Sequence, residues 1–203
     1  MEDIEVTMTE VRKAYRLLAV YQQNVLKVVQ DIAKEFDYEF YRWEPNHDVA
    51  TDEKSPPFRL GGWGMLPMYD ISFLFLNPTY DRRNPQPGEW LLEVNVFTDN
   101  GYEEKKDKIL SPLEFKDGVD ESDTQIGLFA MQLTTENKPR QYWYDIWNDD
   151  SDYPDDAEDV IKNENYKLIG DWYNTSKLLA NEDSFQGVIA DFKGILAQHG
   201  IQT

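Results

Sequence analysis

Cysteine is absent from this chain of 203 residues. Its absence excludes disulfide bonds, thiolate nucleophiles and cysteine-ligated zinc, and a reducing intracellular compartment suits such a chain. Histidine, the usual acid–base side chain near neutral pH, occurs twice. His47 stands beside Asp48 in a proline-bearing stretch, where a solvated ring is expected. His199 falls in the last turn of a helical pattern, where a cation complements the helix dipole.

Positive charge is also scarce. Twenty Lys and Arg face 39 Asp and Glu, for a formal net charge of −19. Such a field repels phosphates, so direct binding of nucleic acid or of an anionic membrane is disfavoured. The densest basic clusters, Arg82-Arg83 and Lys105-Lys106-Lys108, are short and flanked by acids. No apolar run approaches the ~20 residues that span a bilayer. The opening MEDIEVTMTEVRK lacks the basic and apolar regions of a signal peptide. A soluble, cytoplasmic protein is the expectation.

The catalytic signatures GxSxG, HExxH, Walker A and GxGxxG are missing as well. Gly61-Gly62-Trp63-Gly64 is rich in glycine but lacks the lysine and the strand–loop–helix setting of a phosphate cradle. It is expected to serve the backbone as a turn or bulge.

Aromatic residues, by contrast, are abundant: 14% of the chain, including six Trp. That bulk supports a folded core. The length fits one domain, expected to span residues 1–203.

The clearest helix covers residues 7–35. Val11, Ala14, Tyr15, Leu18, Tyr21, Val25, Val28, Val29 and Ile32 recur at three- and four-residue steps, with Thr9 as candidate N-cap. Strands are predicted over residues 37–44, 69–76, 89–98, 124–135, 140–148 and 166–173. Residues 136–139 (ENKP) form the hairpin between the fourth and fifth strands. ISFLFL suits a strand buried on both faces. In EWLLEVNVFT, Trp90, Leu92, Val94 and Val96 share one face; Leu91, Glu93, Asn95 and Phe97 share a more polar, less buried one. Residues 154–163 suit a short acidic helix. A last helix covers residues 181–199, with Asn181 as N-cap and Gly200 as C′. This order predicts an α+β fold: a mainly antiparallel sheet of five or six strands, with a long N-terminal helix and a C-terminal helix packed on it.

The most distinctive stretch is residues 141–159, QYWYDIWNDDSDYPDDAED. It is expected to be a core strand running into a solvated acidic loop. Eight carboxylates fall in the fifteen residues 145–159, with no Lys or Arg among them. Asn148, Asp150, Asp152 and Asp159 occupy positions 1, 3, 5 and 12 of a twelve-residue calcium loop, but Tyr153 replaces its obligatory glycine and Pro154 follows. No metal or cofactor is therefore assigned.

Two carboxylates carry the hydrolytic alternative. Asp70 and Glu93 on neighbouring strands are similar to the acids of a magnesium-dependent nuclease, as is the helix–strand–strand order. Glu93 is followed by Val94 and Asn95, so the lysine of that site is missing. A small-molecule module would need a cavity lined by Trp63, Trp90, Trp143, Trp147 and Trp172.

The reading that best accounts for charge and composition is non-enzymatic, with no catalytic residue assigned. Asp149, Asp150, Asp152, Asp155, Asp156 and Asp159 would engage a basic protein, with Tyr102, Tyr144 and Tyr153 as exposed aromatics of the same face. Carboxylates on a rigid scaffold approximate phosphate spacing, as in proteins that occupy nucleic-acid grooves or in toxin–immunity pairs. Such binding weakens with salt.

Overall fold

The structure is a computed structural model and describes residues 4–46, 68–101, 118–135, 142–148, 153–162 and 165–202. Among the described residues ten elements follow one another: α1 (Ile4–Lys34), β1 (Glu39–Pro45), β2 (Asp70–Leu76), β3 (Trp90–Phe97), β4 (Gln125–Leu133), α2 (Trp143–Trp147), β5 (Ile161–Lys162), β6 (Tyr166–Asn174), α3 (Thr175–Ala180) and α4 (Glu182–Gln198). The six strands form one antiparallel sheet in the order β1-β2-β3-β4-β6-β5. The expected α+β architecture is borne out.

Helix ends follow local chemistry. α1 begins at Ile4, so Thr9 lies inside the helix, where its hydroxyl donates to the Glu5 carbonyl at 2.8 Å instead of capping. The helix stops where Asp37 takes a positive φ of 55°. There the Tyr38 N–H reaches the Ala33 carbonyl and the Asp37 N–H reaches that of Lys34, a Schellman closure. α4 ends in the same way. Gly200 has φ 73°, and the Ile201 and Gly200 N–H groups bond the Leu196 and Ala197 carbonyls. Asn181 caps α4 through a 2.9 Å bond from the Ser184 N–H. Asn174 does the same for α3, a helix that the periodicity left unread.

Period-two alternation gives the sheet two interiors. On the first face, Ile71, Phe73, Phe75, Trp90, Leu92, Val94, Val96, Ile126, Leu128, Ala130 and Ile169 pack under the C-terminal half of α1 and under α3 and α4. Phe36 meets Trp90 and Phe192 edge-on, with ring centroids 5.9 and 5.7 Å apart. On the second face, Leu74, Leu76, Leu91, Phe129, Met131, Leu133, Tyr166 and Leu168 pack against Trp143, Ile146 and Trp147 of α2.

Two expectations fail in this second layer. Residues 143–147 form a helix and not a strand, because Trp143, Ile146 and Trp147 stand at i, i+3 and i+4 and bury together. Asp145 accepts from the Tyr142 N–H at 3.2 Å to close its start. Residues 154–160 form a turn-rich loop instead of a helix, followed by the two-residue β5. The side-chain carboxylates of Asp156 and Asp159 take N–H groups of the loop itself, which competes with helix. The ENKP hairpin, His47, Asp48 and Gly61–Gly64 lie outside the described residues.

Candidate functional site

The face expected to be the less buried one of β3 is sealed. Glu93 is 0% exposed and Asn95 1%. The register of β2 and β3 sets Ser72 opposite Asn95, with Asp70 two residues before Ser72 and Glu93 two before Asn95, all on one side of the sheet. Asn46, just past the end of β1, completes the group. Its amide donates to the Asp70 carboxylate at 2.6 Å and to Ser72 Oγ at 3.2 Å. The Asn95 amide donates to the same two atoms, each at 3.2 Å. Asn95 Oδ1 is buried and has no hydrogen-bond partner among the described residues.

Glu93 is held from above. Trp147 Nε1 of α2 donates to one carboxylate oxygen at 2.8 Å, and the Tyr153 hydroxyl donates to the other at 2.7 Å. Burial pushes the Glu93 carboxyl up, against hydrogen bonds from Ser72, Tyr153 and Trp147 that favour its charge; Asp70 nearby raises it further. The Tyr153 phenol is likewise pushed up, first by burial and then by Glu93.

Glycine makes room for this clasp. The Phe129 ring lies flat on the sheet, and a Cβ built at Gly127 would sit 2.2 Å from it. At Gly170 a Cβ would lie 2.1 Å from the Leu128 carbonyl oxygen and 2.5 Å from the same ring. Tyr153 packs on Phe129 with centroids 4.8 Å apart and meets Trp172 edge-on at 5.9 Å. Tyr153 is therefore the root of the acidic loop and not an exposed aromatic. Tyr144 is half-buried, with the Arg42 guanidinium 3.7 Å from its ring centre. Tyr102 lies outside the described residues.

Above this root the loop is acidic and internally tied. The Asp155 N–H meets Asp159 Oδ2 at 3.3 Å, and Asp156 Oδ1 accepts from the Glu158 and Asp159 N–H groups at 2.9 and 3.1 Å. Asp155, Asp156 and Glu158 are exposed. Among the described residues none of these acids is ion-paired to Lys or Arg. The acidity continues onto the sheet and α4. The Asp171 carboxyl is raised by burial and then by Asp191 and Asp156, against Lys177. Asp149, Asp150 and Asp152 lie outside the described residues.

The alternative sites fare differently. Asp70 and Glu93 do belong to one polar cluster, bridged by Ser72 and Asn95. As placed, Glu93 does not face solvent, and Trp147 and Tyr153 occupy its two carboxylate oxygens. Among the described residues no group of three or more His, Asp or Glu is arranged to hold a metal ion. The tryptophans do not line one cavity: Trp90 is in the layer under the helices, whereas Trp143, Trp147 and Trp172 are in the opposite one. Trp63 is outside the described residues. His199 is the C-cap of α4, and its carbonyl accepts from Lys167 Nζ at 2.6 Å. No helix among the described residues is long and apolar enough to cross a membrane.

Sequence reasoning did not join Asn46, Ser72, Trp147 or Tyr153 to Asp70 and Glu93. The parity of Asp70 and Ser72 on one strand, and of Glu93 and Asn95 on the next, was the available signal for Ser72. Trp147 and Tyr153 carried none, since they reach Glu93 from 54 and 60 residues away.

These features define an α+β protein with a six-stranded antiparallel sheet, helices over one face and an acid-topped, aromatic-rooted layer over the other. By sequence the chain belongs to the PM0109 family, whose model matches residues 1–200. It is 24% identical over 192 residues to Uncharacterized protein PM0109 of Pasteurella multocida (strain Pm70), covering 89% of this chain and 88% of that protein. No solved structure matches it.

Proposed function

We propose that this protein is a non-enzymatic interaction or inhibitor protein that engages a basic protein through its acidic surface. One observation carries the reading: carboxylates from three elements, Asp156 of the loop, Asp171 on β6 and Asp191 on α4, lie near enough together that Asp191 and Asp156 add to burial in raising the Asp171 carboxyl. Like charges held together reduce the stability of a fold, and a basic partner converts that cost into binding energy. The loop is pre-ordered by its own hydrogen bonds and by the Tyr153–Glu93 clasp, so little ordering entropy is lost on binding.

The partner chemistry that fits is a groove lined by Lys and Arg, of the kind that otherwise receives phosphates. Electrostatic complementarity acts mainly on the association rate and is screened within ~8–10 Å at physiological salt.

The test compares the native chain with a variant carrying Asp155→Asn, Asp156→Asn, Glu158→Gln and Asp159→Asn. Supporting the reading, a strongly basic protein is retained by the native chain at low salt, released at high salt and lost with the variant. Equal retention by both chains, or retention indifferent to salt, would overturn it.

A further inference from the structure

The polar cluster around Ser72 shares its hydrogen bonds unevenly. Asp70 Oδ1 and Ser72 Oγ each receive two amides: Asn46 Nδ2 at 2.6 and 3.2 Å, and Asn95 Nδ2 at 3.2 Å to both. The single Ser72 proton has two acceptors, Asn46 Oδ1 at 3.2 Å and the Glu93 carboxylate. Asn95 Oδ1, in a side chain 1% exposed, has none of these donors. Buried acceptors are normally satisfied, so this orphan needs a partner.

Charge is unbalanced in the same place. Glu93 is fully buried, and Asp70 lies near enough to raise its carboxyl further. Among the described residues no Lys or Arg is ion-paired to Glu93. Buried charges are ordinarily paired or coordinate a metal ion.

The crowded groups close a four-cornered ring: Asp70 Oδ1, the Asn46 amide, Ser72 Oγ and the Asn95 amide. Its sides are 2.6, 3.2, 3.2 and 3.2 Å. The oxygen and nitrogen of an amide have the same shape, so either orientation fills the same space. With both amides turned, every corner is an oxygen, and the Asn95 orphan becomes a corner of the ring. A square of 3.2 Å edge has its centre about 2.3 Å from each corner, the length of a calcium–oxygen bond.

We propose that Asp70, Ser72, Asn46 and Asn95 hold a calcium ion, with Glu93 behind Ser72. One carboxylate and three neutral oxygens form the ring, so the site needs no third acid. Calcium takes about six to eight oxygen ligands. Asn46 is exposed, so waters complete the shell at that corner. Ser72 turns its lone pairs to the ion and gives its proton to Glu93, a partner that orients the ligand from behind. The charges of Asp70 and Glu93 together balance one divalent ion. Magnesium, which demands bonds of about 2.0–2.1 Å in a near-ideal octahedron, fits the ring less well. The ion ties the end of β1 to β2 and β3. It also favours the ionised Glu93, whose charge strengthens the bonds from Trp147 and Tyr153.

Urea unfolding of the full chain, stripped with chelator and held at constant ionic strength, tests the site. Calcium chloride is varied from roughly 10 µM to 10 mM, and the midpoint is expected to rise with it, less so with magnesium chloride. Asp70→Asn is expected to abolish the rise. Asn46→Ala, at an exposed position, is expected to weaken calcium about tenfold. Both variants keep cooperative unfolding in chelator. The loop variant with Asp155→Asn, Asp156→Asn, Glu158→Gln and Asp159→Asn is expected to keep the rise, which separates the ring from the acidic loop. A midpoint indifferent to calcium, a rise that survives Asp70→Asn, or a rise lost in the loop variant overturns the site. An equal or larger rise with magnesium overturns the choice of ion.

Discussion

Both faces of the sheet are buried, but in different ways. Under α1, α3 and α4 the layer is almost wholly apolar, with aromatic rings meeting edge to face around Phe36. Under α2 and the acidic loop it holds a sealed carboxylate, one amide and a hydroxyl. The first face stabilises by removing apolar area from water, at about 25 cal/mol per Å². The second relies in addition on hydrogen bonds to the Glu93 carboxylate, whose loss costs more than their making gains. The contrast teaches that Glu93 serves as a clasp. It fixes α2 through Trp147 and the acidic loop through Tyr153, and so transmits order from the sheet to the surface expected to bind.

The largest change expected from breaking this contrast is on the helix side. Phe192 is fully buried against Phe36. Phe192→Ala is expected to cost about 3–5 kcal/mol in urea unfolding, with no selective effect on the acidic loop. On the other side, Glu93→Ala leaves the Trp147 indole N–H and the Tyr153 hydroxyl without an acceptor in a dry site. A loss of about 3 kcal/mol is expected, accompanied by a change in Trp fluorescence as the Trp147 environment opens.

The smallest expected effect at pH 7 and the most diagnostic one over pH belong to Glu93→Gln. The folded-state pKa of Glu93 is raised, chiefly by burial. The folded state therefore binds the proton more tightly than the unfolded state does. This group's contribution is fully present below the unfolded value of about 4.5 and is lost as pH rises through the folded value. Glu93→Gln removes that titration while keeping an acceptor. It is expected to flatten this part of the stability–pH curve and to leave stability at pH 7 unchanged or slightly higher. An unaltered curve, measured by urea midpoints across pH, would contradict the assignment.

Much of the helix-covered face was legible in the sequence. The stripe of α1, the alternation in β3 and the caps at Asn181 and Gly200 are local signals, and each produced the element it implied. The second face was less legible, for three physical reasons. A tyrosine- and tryptophan-rich run suits a strand by propensity, and only the i, i+3, i+4 placement of Trp143, Ile146 and Trp147 marks the short helix. Aspartates in residues 154–160 raise helix-start signals, yet their side chains close turns. Polar residues in mid-strand suggested exposure, because their partners come from distant segments that spacing does not reveal. Asp70 and Glu93 were paired correctly by strand adjacency, but the lid that shuts Glu93 away from water was invisible.

A double-mutant cycle between Glu93→Ala and Tyr153→Phe, measured by urea unfolding at pH 7, tests the clasp most directly. Coupled groups in one hydrogen-bonded contact show interaction energies of roughly 0.5–3 kcal/mol, and independent ones add within about 0.3–0.5. The expected result is a coupling of at least about 1 kcal/mol, together with faster amide exchange in residues 155–159 of the Tyr153→Phe variant. Additive single effects and unchanged exchange in the loop would show that Glu93 does not hold it.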